Sequence, residues 1–484
     1  MPGPAATERD GRAPASIVSR LDYAEALAAL EARGRFGIRL GLVRIRAMLR
    51  EIGNPERSLR GVLVGGTNGK GSVLALVSAA LRAAGYRVGE TPKPHLVTYR
   101  ERLQVDGRPV DPATFARLVG DILPVADKVA RRLGAPTEFE LLTAIVFRWL
   151  AEVGVDVAVI EVGLGGRLDA THAWDGGVAT ITNVDLDHMD RLGPTVGHIA
   201  REKAAIIERG DIAVTGATGE ALRIIRRRAR RMGAPLTEVE PAPILEIGRD
   251  GLVVELAGIG SAFVGLRGRH QAANVAVAHA TLDALEEAGI AVVPAKARLA
   301  GYRSVRWPGR LELVRADGRE VLLDGAHNPA GAAALAQALD DLRPHLAGGA
   351  GSPGRRSPPT LLMAVMRDKD VAGLVAALAR SETLRDARII CTRLAYPRAM
   401  PADELAGAWA AIGGGRTIVV EPEPQRALDR ALSHEQPWAD GPVVVAGSLY
   451  LVGEVRARLV DDPLLRDPEE AERTMSPLVS TVAR

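Results

Sequence analysis

Lys70 and Ser72 stand on either side of Gly71, at the end of the run Gly66-Thr67-Asn68-Gly69-Lys70-Gly71-Ser72. The run follows an apolar stretch, Val62-Leu63-Val64, and leads into Val73-Leu74-Ala75-Leu76-Val77. Strand, glycine-rich turn and helix start, in that order, make a phosphate cradle. The glycines let backbone N–H groups approach an anion, and a helix N-terminus adds roughly half a positive charge. A lysine at position 70 can reach the outer phosphates, and a hydroxyl at 72 can ligate magnesium. The spacing departs from the common phosphate loop, which places glycine at 64 and a hydroxyl at 71. Here stand Val64 and Gly71. A glycine-rich turn without a ligand fits the string as well, so other residues must decide.

If Lys70 and Ser72 hold ATP and magnesium, phosphoryl transfer needs metal ligands and charge near the γ-phosphate. Glu161 ends the β-branched run Val155-Asp156-Val157-Ala158-Val159-Ile160 and precedes a glycine-rich loop with room for a ligand. His188 follows a second buried-looking run, Val178 to Asn183, and Lys203 sits on a helix beginning near Val196. Arg310 and Asp324 can reach a nucleotide from the other half of the chain. Each also has a plain reading: a solvated strand-end Glu, a packed His, a surface Lys, an interdomain ion pair. In an open parallel sheet, ligands sit at the carboxyl ends of the strands. The phosphate loop, Glu161 and His188 all follow such ends, so one site can collect them.

The supporting elements read as follows. Residues 1–16 are rich in Pro, Ala and charge without an apolar stretch, a disordered tail and not a signal peptide. Ser16 can cap a helix that Gly34 ends, and a second helix spans about 43–52. The phosphate-loop helix stops near Gly85, with a strand at 86–89. Pro92 and Pro94 make the segment 91–96 an extended loop. A strand at 102–105 turns at Asp106-Gly107. Helices are expected at 112–132, 139–152, 219–232 and 271–288, with peripheral strands at 251–257 and 262–266. The pattern restarts near Trp307-Pro308-Gly309-Arg310. From there strands (320–323, 360–366, 387–391, 416–420, 442–446) alternate with helices (329–342, 369–380, 402–412, 424–434, 448–460). The fold class is α/β with two domains. Residues 17–306 form a P-loop ATPase-like parallel or mixed sheet with helices, and 307–466 a doubly wound, Rossmann-like domain. Residues 348–359 read as a flexible surface loop, and 467–484 as a disordered tail.

Composition narrows the function classes. Net charge is +3 and is spread along the chain, and aromatic residues make up 3%, so neither a basic patch nor a stacking platform points to nucleic acid. The single cysteine, Cys391, forbids an intrachain disulfide and a thiolate metal cluster and suits a reducing, cytoplasmic compartment. No apolar run reaches the length of a membrane span.

Jointly these motifs resemble the folylpolyglutamate synthase/dihydrofolate synthase family of the Mur ligase superfamily. The resemblance rests on the phosphate loop 66–72, on Glu161-Val162-Gly163-Leu164-Gly165-Gly166-Arg167-Leu168-Asp169-Ala170-Thr171, and on Leu186-Asp187-His188. It rests equally on Arg201-Glu202-Lys203-Ala204, Asp324-Gly325-Ala326-His327-Asn328-Pro329, Asp368-Lys369-Asp370 and Gly447-Ser448-Leu449-Tyr450. It covers roughly residues 20 to 460, with the glycine-rich run after Glu161 the most specific part.

The resemblance implies an ATP-dependent, ADP-forming amide ligase that makes an acyl phosphate and adds L-glutamate to dihydropteroate or a folate. It implies that Thr67, Asn68, Gly69, Lys70, Gly71 and Ser72 hold the ATP phosphates, and that Asn274, Arg310 and Asp324 contact the nucleotide. Ser72, Glu161 and His188 match magnesium sites, one ion or two, with K+ or another monovalent cation as a further candidate. Lys203 matches a lysine that is carbamylated in the family. Gly37, Ile38, Arg39, Leu40, Phe139, Leu168, Asp169 and Ala170 match the pterin-side pocket, and His327 and Ser448 the region receiving the amino acid. The implied partners are small molecules, a pterin- or folate-like acid and L-glutamate, and the implied state is a monomer.

Two positions depart from the pattern. Lys93 stands where a serine that ligates magnesium usually precedes Pro-His-Leu, and a protonated ammonium cannot ligate a metal. His172 stands where Asn is usual. Three functions therefore stay in view: a folate-type ligase, a relative joining another acid and amine in a secondary-metabolite or cofactor pathway, and a nucleotide-binding subunit impaired in turnover.

Overall fold

In the computed structural model, residues 21–34, 39–346, 357–435 and 437–468 are described. The phosphate-loop strand Gly61–Gly65 lies inside an eight-stranded sheet, with Val157–Glu161 on one side and Gly177–Ile181 on the other. Both pairings are parallel, and Val64 lies level with Glu161 and Gly65 with Ile181. The loops after these three strands therefore leave the sheet at one edge. Val88–Thr91, Ile212–Thr215 and Leu236–Glu238 extend the parallel order, and an antiparallel hairpin, Gln104–Val105 with Arg108–Pro109, closes one side.

Strand alternation gives this sheet two apolar faces. Leu63, Ala158, Ile160, Ala179 and Ile181 pack under helices Pro112–Leu133 and Glu138–Val153. Val62, Val64, Val157, Val159 and Val178 pack under Lys70–Ala83 and Gln271–Glu287. A sheet buried on both faces explains why its strands read as continuous aliphatic runs. A small antiparallel sheet, Ile244–Gly248, Gly251–Leu256 and Gly260–Val264, flanks the second layer.

The third sheet runs Glu312–Ala316, Arg319–Leu323, Val443–Ala446, Thr360–Met363, Arg388–Cys391, Thr417–Val420, parallel except for the first strand. Helices Pro329–Leu342, Val371–Leu378 and Ala402–Ile412 cover one face, and Pro424–Leu432 and Leu449–Leu459 the other. Parallel strands with helices on both faces form the doubly wound arrangement that the alternating pattern called for.

Several elements differ from expectation. The strand expected at 86–89 is Val88–Thr91, because it is the pairing with Val157–Glu161 that sets its register. Ile212–Thr215, Leu236–Glu238, Glu312–Ala316 and helix Ala295–Ser304 were not foreseen. The three strands are only three to five residues long, too short to show a period. Helix 369–380 shortens to Val371–Leu378, with Asp370 as its cap, accepting from the N–H of Gly373. The first helix spans Tyr23–Gly34, and Ser16 lies outside the described residues. So do the tail 1–16, most of the loop 348–359, and the end of the chain beyond 468. Asp467, placed in the tail by sequence, accepts hydrogen bonds from Thr98 Oγ1 (2.9 Å) and Arg100 Nε (3.1 Å). No helix among the described residues is long and apolar enough to cross a membrane.

Candidate active site

Several hydrogen bonds tether the loop 66–69 where it leaves the sheet. Thr182 Oγ1 donates to the Asn68 carbonyl oxygen (2.6 Å), the Asn68 N–H donates to Asn183 Oδ1 (2.9 Å), and Thr67 Oγ1 accepts from the Asp185 N–H (3.0 Å). Gly69 precedes helix Lys70–Ala83 at φ +80°, with no side chain capping the helix. The first-turn N–H groups are thus left to an anion. The glycines are required by contact. A Cβ on Gly66 would lie 1.9 Å from Thr182 Oγ1, one on Gly69 2.2 Å from Asn274 Oδ1, and one on Gly71 2.7 Å from the Trp307 indole. The last contact accounts for the departure from the common phosphate loop: position 71 carries no hydroxyl because an aromatic ring occupies its space.

Lys70 donates from Nζ to the Thr67 carbonyl oxygen (3.1 Å) and lies 3.9 Å from Glu161 Oε1. Glu161 is buried, which raises its pKa, while Lys70, Lys93 and Arg310 pull the other way. Lys203, also buried, donates to the Gly66 carbonyl oxygen (2.8 Å) from beneath the loop. Burial, then the neighbouring Lys70, brings its pKa down to about 7. Lys93 is brought down to about 8 by burial, against the attraction of Asp169 and Glu161.

The two halves meet across this loop. Asn328, capping helix Pro329–Leu342, donates to Asn68 Oδ1 and to Asp187 Oδ2, both at 3.2 Å. Lys369 Nζ donates to Asp187 Oδ1 (3.1 Å). Burial works against ionisation of Asp187, yet His188, Lys369 and His327 hold its carboxyl well below the usual range. Asp324, buried and raised by burial against Arg310, accepts from the N–H groups of Leu311 and Ala326, each at 2.9 Å. The His327 ring contacts the Gly325 carbonyl oxygen (2.8 Å), and burial, then Lys369, lowers its pKa to about 4, so it is neutral at pH 7.

Together these groups line a cleft of about 570 Å³ between the two large sheets. It takes in residues 66–72, Lys93, Phe139, Glu161, His188, Lys203, Asn274, Arg310, Asp324 and His327 from the sequence reading. Leu168, Asp169, Ala170 and Ser448 are not in its wall. Asp169 accepts from the N–H groups of Leu164 (2.8 Å) and Thr171 (3.0 Å) and so shapes the glycine-rich loop. Leu168 accepts from the Gly41 N–H (3.1 Å), which brings Arg39 and Leu40 alongside that loop. Gly37 and Ile38 lie outside the described residues. Ser448 is buried and caps helix Leu449–Leu459. His172 packs under its loop, against the Arg167 carbonyl oxygen and Glu208.

Among the described residues no three His, Cys, Asp or Glu side chains gather closely enough to hold a metal ion. Magnesium commonly takes only one or two protein ligands and completes its shell with phosphate oxygens and water. Ser72 and Oε1 of Glu161, the oxygen not taken by the Lys93 N–H, suit that role. His188 Nε2 lies 3.9 Å from Asp187 Oδ2, and burial lowers its pKa, so its ring tends to be neutral.

Asn183, Asp187, Asn328 and Lys369 had no role assigned from sequence. One signal did mark Lys369. The chain has six lysines, and Lys and Arg together number 62. Lys70, Lys93 and Lys203 line the cleft, and Lys369 pairs with a residue of its wall.

Comparison with known proteins gives two family matches: the Mur ligase middle domain over residues 64–282 and the dihydrofolate synthetase C-terminal domain over 310–459. The dihydrofolate synthase/folylpolyglutamate synthase of Bacillus subtilis (strain 168) is 32% identical, over 90% of this chain and 99% of that one. Mycobacterium tuberculosis folylpolyglutamate synthase, solved with ADP and AMPPCP, superposes with a TM-score of 0.80 at 32% identity, covering 91% of this chain and 100% of that one. E. coli FolC in complex with DHPP and ADP superposes at 0.75 with 28% identity, over 94% and 100%.

Proposed function

The chain belongs to the dihydrofolate synthase/folylpolyglutamate synthase family, and from that premise we propose that it joins L-glutamate to dihydropteroate or a folate. It is an ATP-dependent, ADP-forming amide ligase. One observation carries the residue assignment. The phosphate loop, Glu161, and the Arg310, Asp324 and His327 of the other half face one cleft, with Phe139 on its wall.

The reaction divides into two displacements. A carboxylate oxygen of the acid attacks the γ-phosphorus of ATP, ADP leaves, and an acyl phosphate forms. The α-amine of glutamate then attacks the acyl carbon, phosphate leaves, and the amine loses a proton to give the amide. Lys70 and the N–H groups at the start of its helix hold the transferring phosphoryl oxygens. Asn274, Arg310 and Asp324 orient the nucleotide, and Phe139 supplies an apolar wall for the acid. Ser72 and Glu161 would hold magnesium, which would supply charge neutralisation at the γ-phosphate. The Asn328 and Lys369 bridges hold the halves together over the loop, which keeps water from the acyl phosphate. His327 borders the path of the incoming amino acid, and Ser448 caps the helix whose Leu449 lines the cleft. Lys203, with its pKa near 7, presents the neutral amine that carbamylation by carbon dioxide requires. A reducing, cytoplasmic setting fits the single cysteine, Cys391, which is buried.

The test is ADP release with dihydropteroate, a reduced folate or neither, each with and without L-glutamate. Release that needs both acid and glutamate, with an amide product seen by mass spectrometry, is the expected result. Tight ATP binding with no release for either acid would refute the substrate assignment.

A further inference from the structure

Glu161 is gripped by a single residue from two directions. The main-chain N–H of Lys93 donates to Glu161 Oε2 (2.8 Å), and the Lys93 ammonium turns back onto the main-chain carbonyl oxygen of the same glutamate. The other carboxylate oxygen, Oε1, faces the Lys70 ammonium at 3.9 Å. The carboxylate thus has one oxygen on a main-chain N–H and the other near the Lys70 ammonium, while the Lys93 ammonium is fixed on the main chain behind it. The Lys93 ammonium lies 5.5 Å from the centre of the Phe139 ring, within range of its π face. Pro92 and Pro94 restrict the backbone on both sides of it.

The placement bears on charge at the reacting centre. Lys93 stands in the cleft wall between Phe139, on the side of the acid, and Glu161, on the side of the phosphate. With one ion held at Ser72 and Oε1, a second divalent ion approaching Glu161 would find Oε2 already taken by an N–H and the Lys93 ammonium fixed behind it. Like charges at that range repel strongly where water is scarce. The residue type is also telling. Lysine occurs only six times in this arginine-rich chain, and its compact ammonium reaches a single main-chain oxygen without the planar fork of a guanidinium.

We propose that Lys93 is a built-in cation of the catalytic centre, filling the place beside Glu161 that a second divalent ion would take. The enzyme then works with one magnesium ion, carried by the nucleotide. The ammonium faces the oxygens of the acyl phosphate as they form. This inference rests on the ligase reading of the cleft.

Manganese counting separates the two. Mn2+ bound per complex is measured by electron paramagnetic resonance at saturating AMPPCP, for the wild type, Lys93→Ser and Lys93→Met. The expected counts are one for the wild type, two for Lys93→Ser, which opens the site and adds a hydroxyl, and one for Lys93→Met. Lys93→Met should also lose about 100-fold in kcat, with less than tenfold change in KM for ATP. Two ions in the wild type overturn the proposal and leave the ligase reading standing. So does one ion in both the wild type and Lys93→Ser. Failure of AMPPCP to bind at all overturns both. The wild-type count needs no variant to fold, and matching thermal midpoints qualify the variants for comparison.

Discussion

Substituting Gly66 with alanine tests the phosphate cradle at its tightest point. The backbone there is at φ +143°, and an added Cβ would lie 1.9 Å from Thr182 Oγ1 and 3.2 Å from the Thr182 main-chain nitrogen. Holding a non-glycine residue at such an angle costs roughly 1–3 kcal/mol. The collision also displaces the hydroxyl that donates to the Asn68 carbonyl oxygen at 2.6 Å, a bond worth roughly 0.5–1.5 kcal/mol. The loop can escape both costs by moving off its cradle position, so most of the loss should appear when a nucleotide calls that position back. The expected penalty on binding is about 2–4 kcal/mol, or roughly 30- to 700-fold in Kd. Titration calorimetry with AMPPCP measures it, and a thermal melt shows whether the fold survives. Thr182→Ala removes the hydroxyl, so it should weaken binding modestly alone and recover part of the loss when combined with Gly66→Ala. Gly210→Ala is the control. Its φ is +94° but nothing lies within 4 Å, so nucleotide affinity should not change. Wild-type affinity in Gly66→Ala, with an unchanged melt, would refute the argument that this glycine is required by contact.

Lys203 makes stability depend on pH. Its folded pKa, about 7, lies below the ordinary lysine value of 10.5, so between these limits the unfolded chain binds more protons. Stability should rise with pH across that window, and the penalty should be fully present below pH 7. In urea melts from pH 7 to 9, Lys203→Met should flatten the rise, and parallel slopes in the two proteins would contradict the assignment. The junction between the halves gives another prediction. Lys369 and Asp187 are both largely buried and 3.1 Å apart, so Lys369→Met and Asp187→Asn should be strongly non-additive. A double-mutant cycle on kcat/KM should return a coupling of about 1–3 kcal/mol, whereas a value near zero would make the contact incidental.

What the sequence revealed follows from where the information is local. The run 61–83 carries strand, turn and helix signals in one stretch, and Glu161 and Asp324 each close an aliphatic strand, so their places at the sheet edge were legible. Helices 219–232, 329–342 and 402–412 were legible to the residue, because an apolar stripe and its stops lie within the element. The junction of Asn68, Asp187, Asn328 and Lys369 was not. Its members are far apart in the chain, and nothing in one segment encodes its partner in another. For the same reason Gly71 read as an odd spacing until Trp307 was found against it. Lys93 read as a replaced ligand, and only its position showed an ammonium folded back on Glu161.

Lysine usage ties these observations together. Where this chain needs a surface cation it almost always uses arginine, as in the pairs Arg117–Glu152, Arg226–Glu238 and Arg458–Asp429. Guanidinium suits that task, since it stays charged and binds carboxylates through a planar fork. The cleft sets different tasks. Position 203 needs a group that can lose its proton when buried, which arginine cannot do. Position 70 needs a slim arm beside a loop of glycines, where even a Cβ collides. Position 93 needs a cation small enough to fold back within its own loop, between Glu161 and the Phe139 ring. Position 369 must reach Asp187 past Asn328, which already bonds the same carboxylate. Lys128 and Lys296 are exposed, and arginine would serve at either place. In a chain that otherwise chooses arginine, a buried or half-buried lysine therefore marks a place where the ammonium itself does the chemistry or fits the space, and four of the six mark a single cleft.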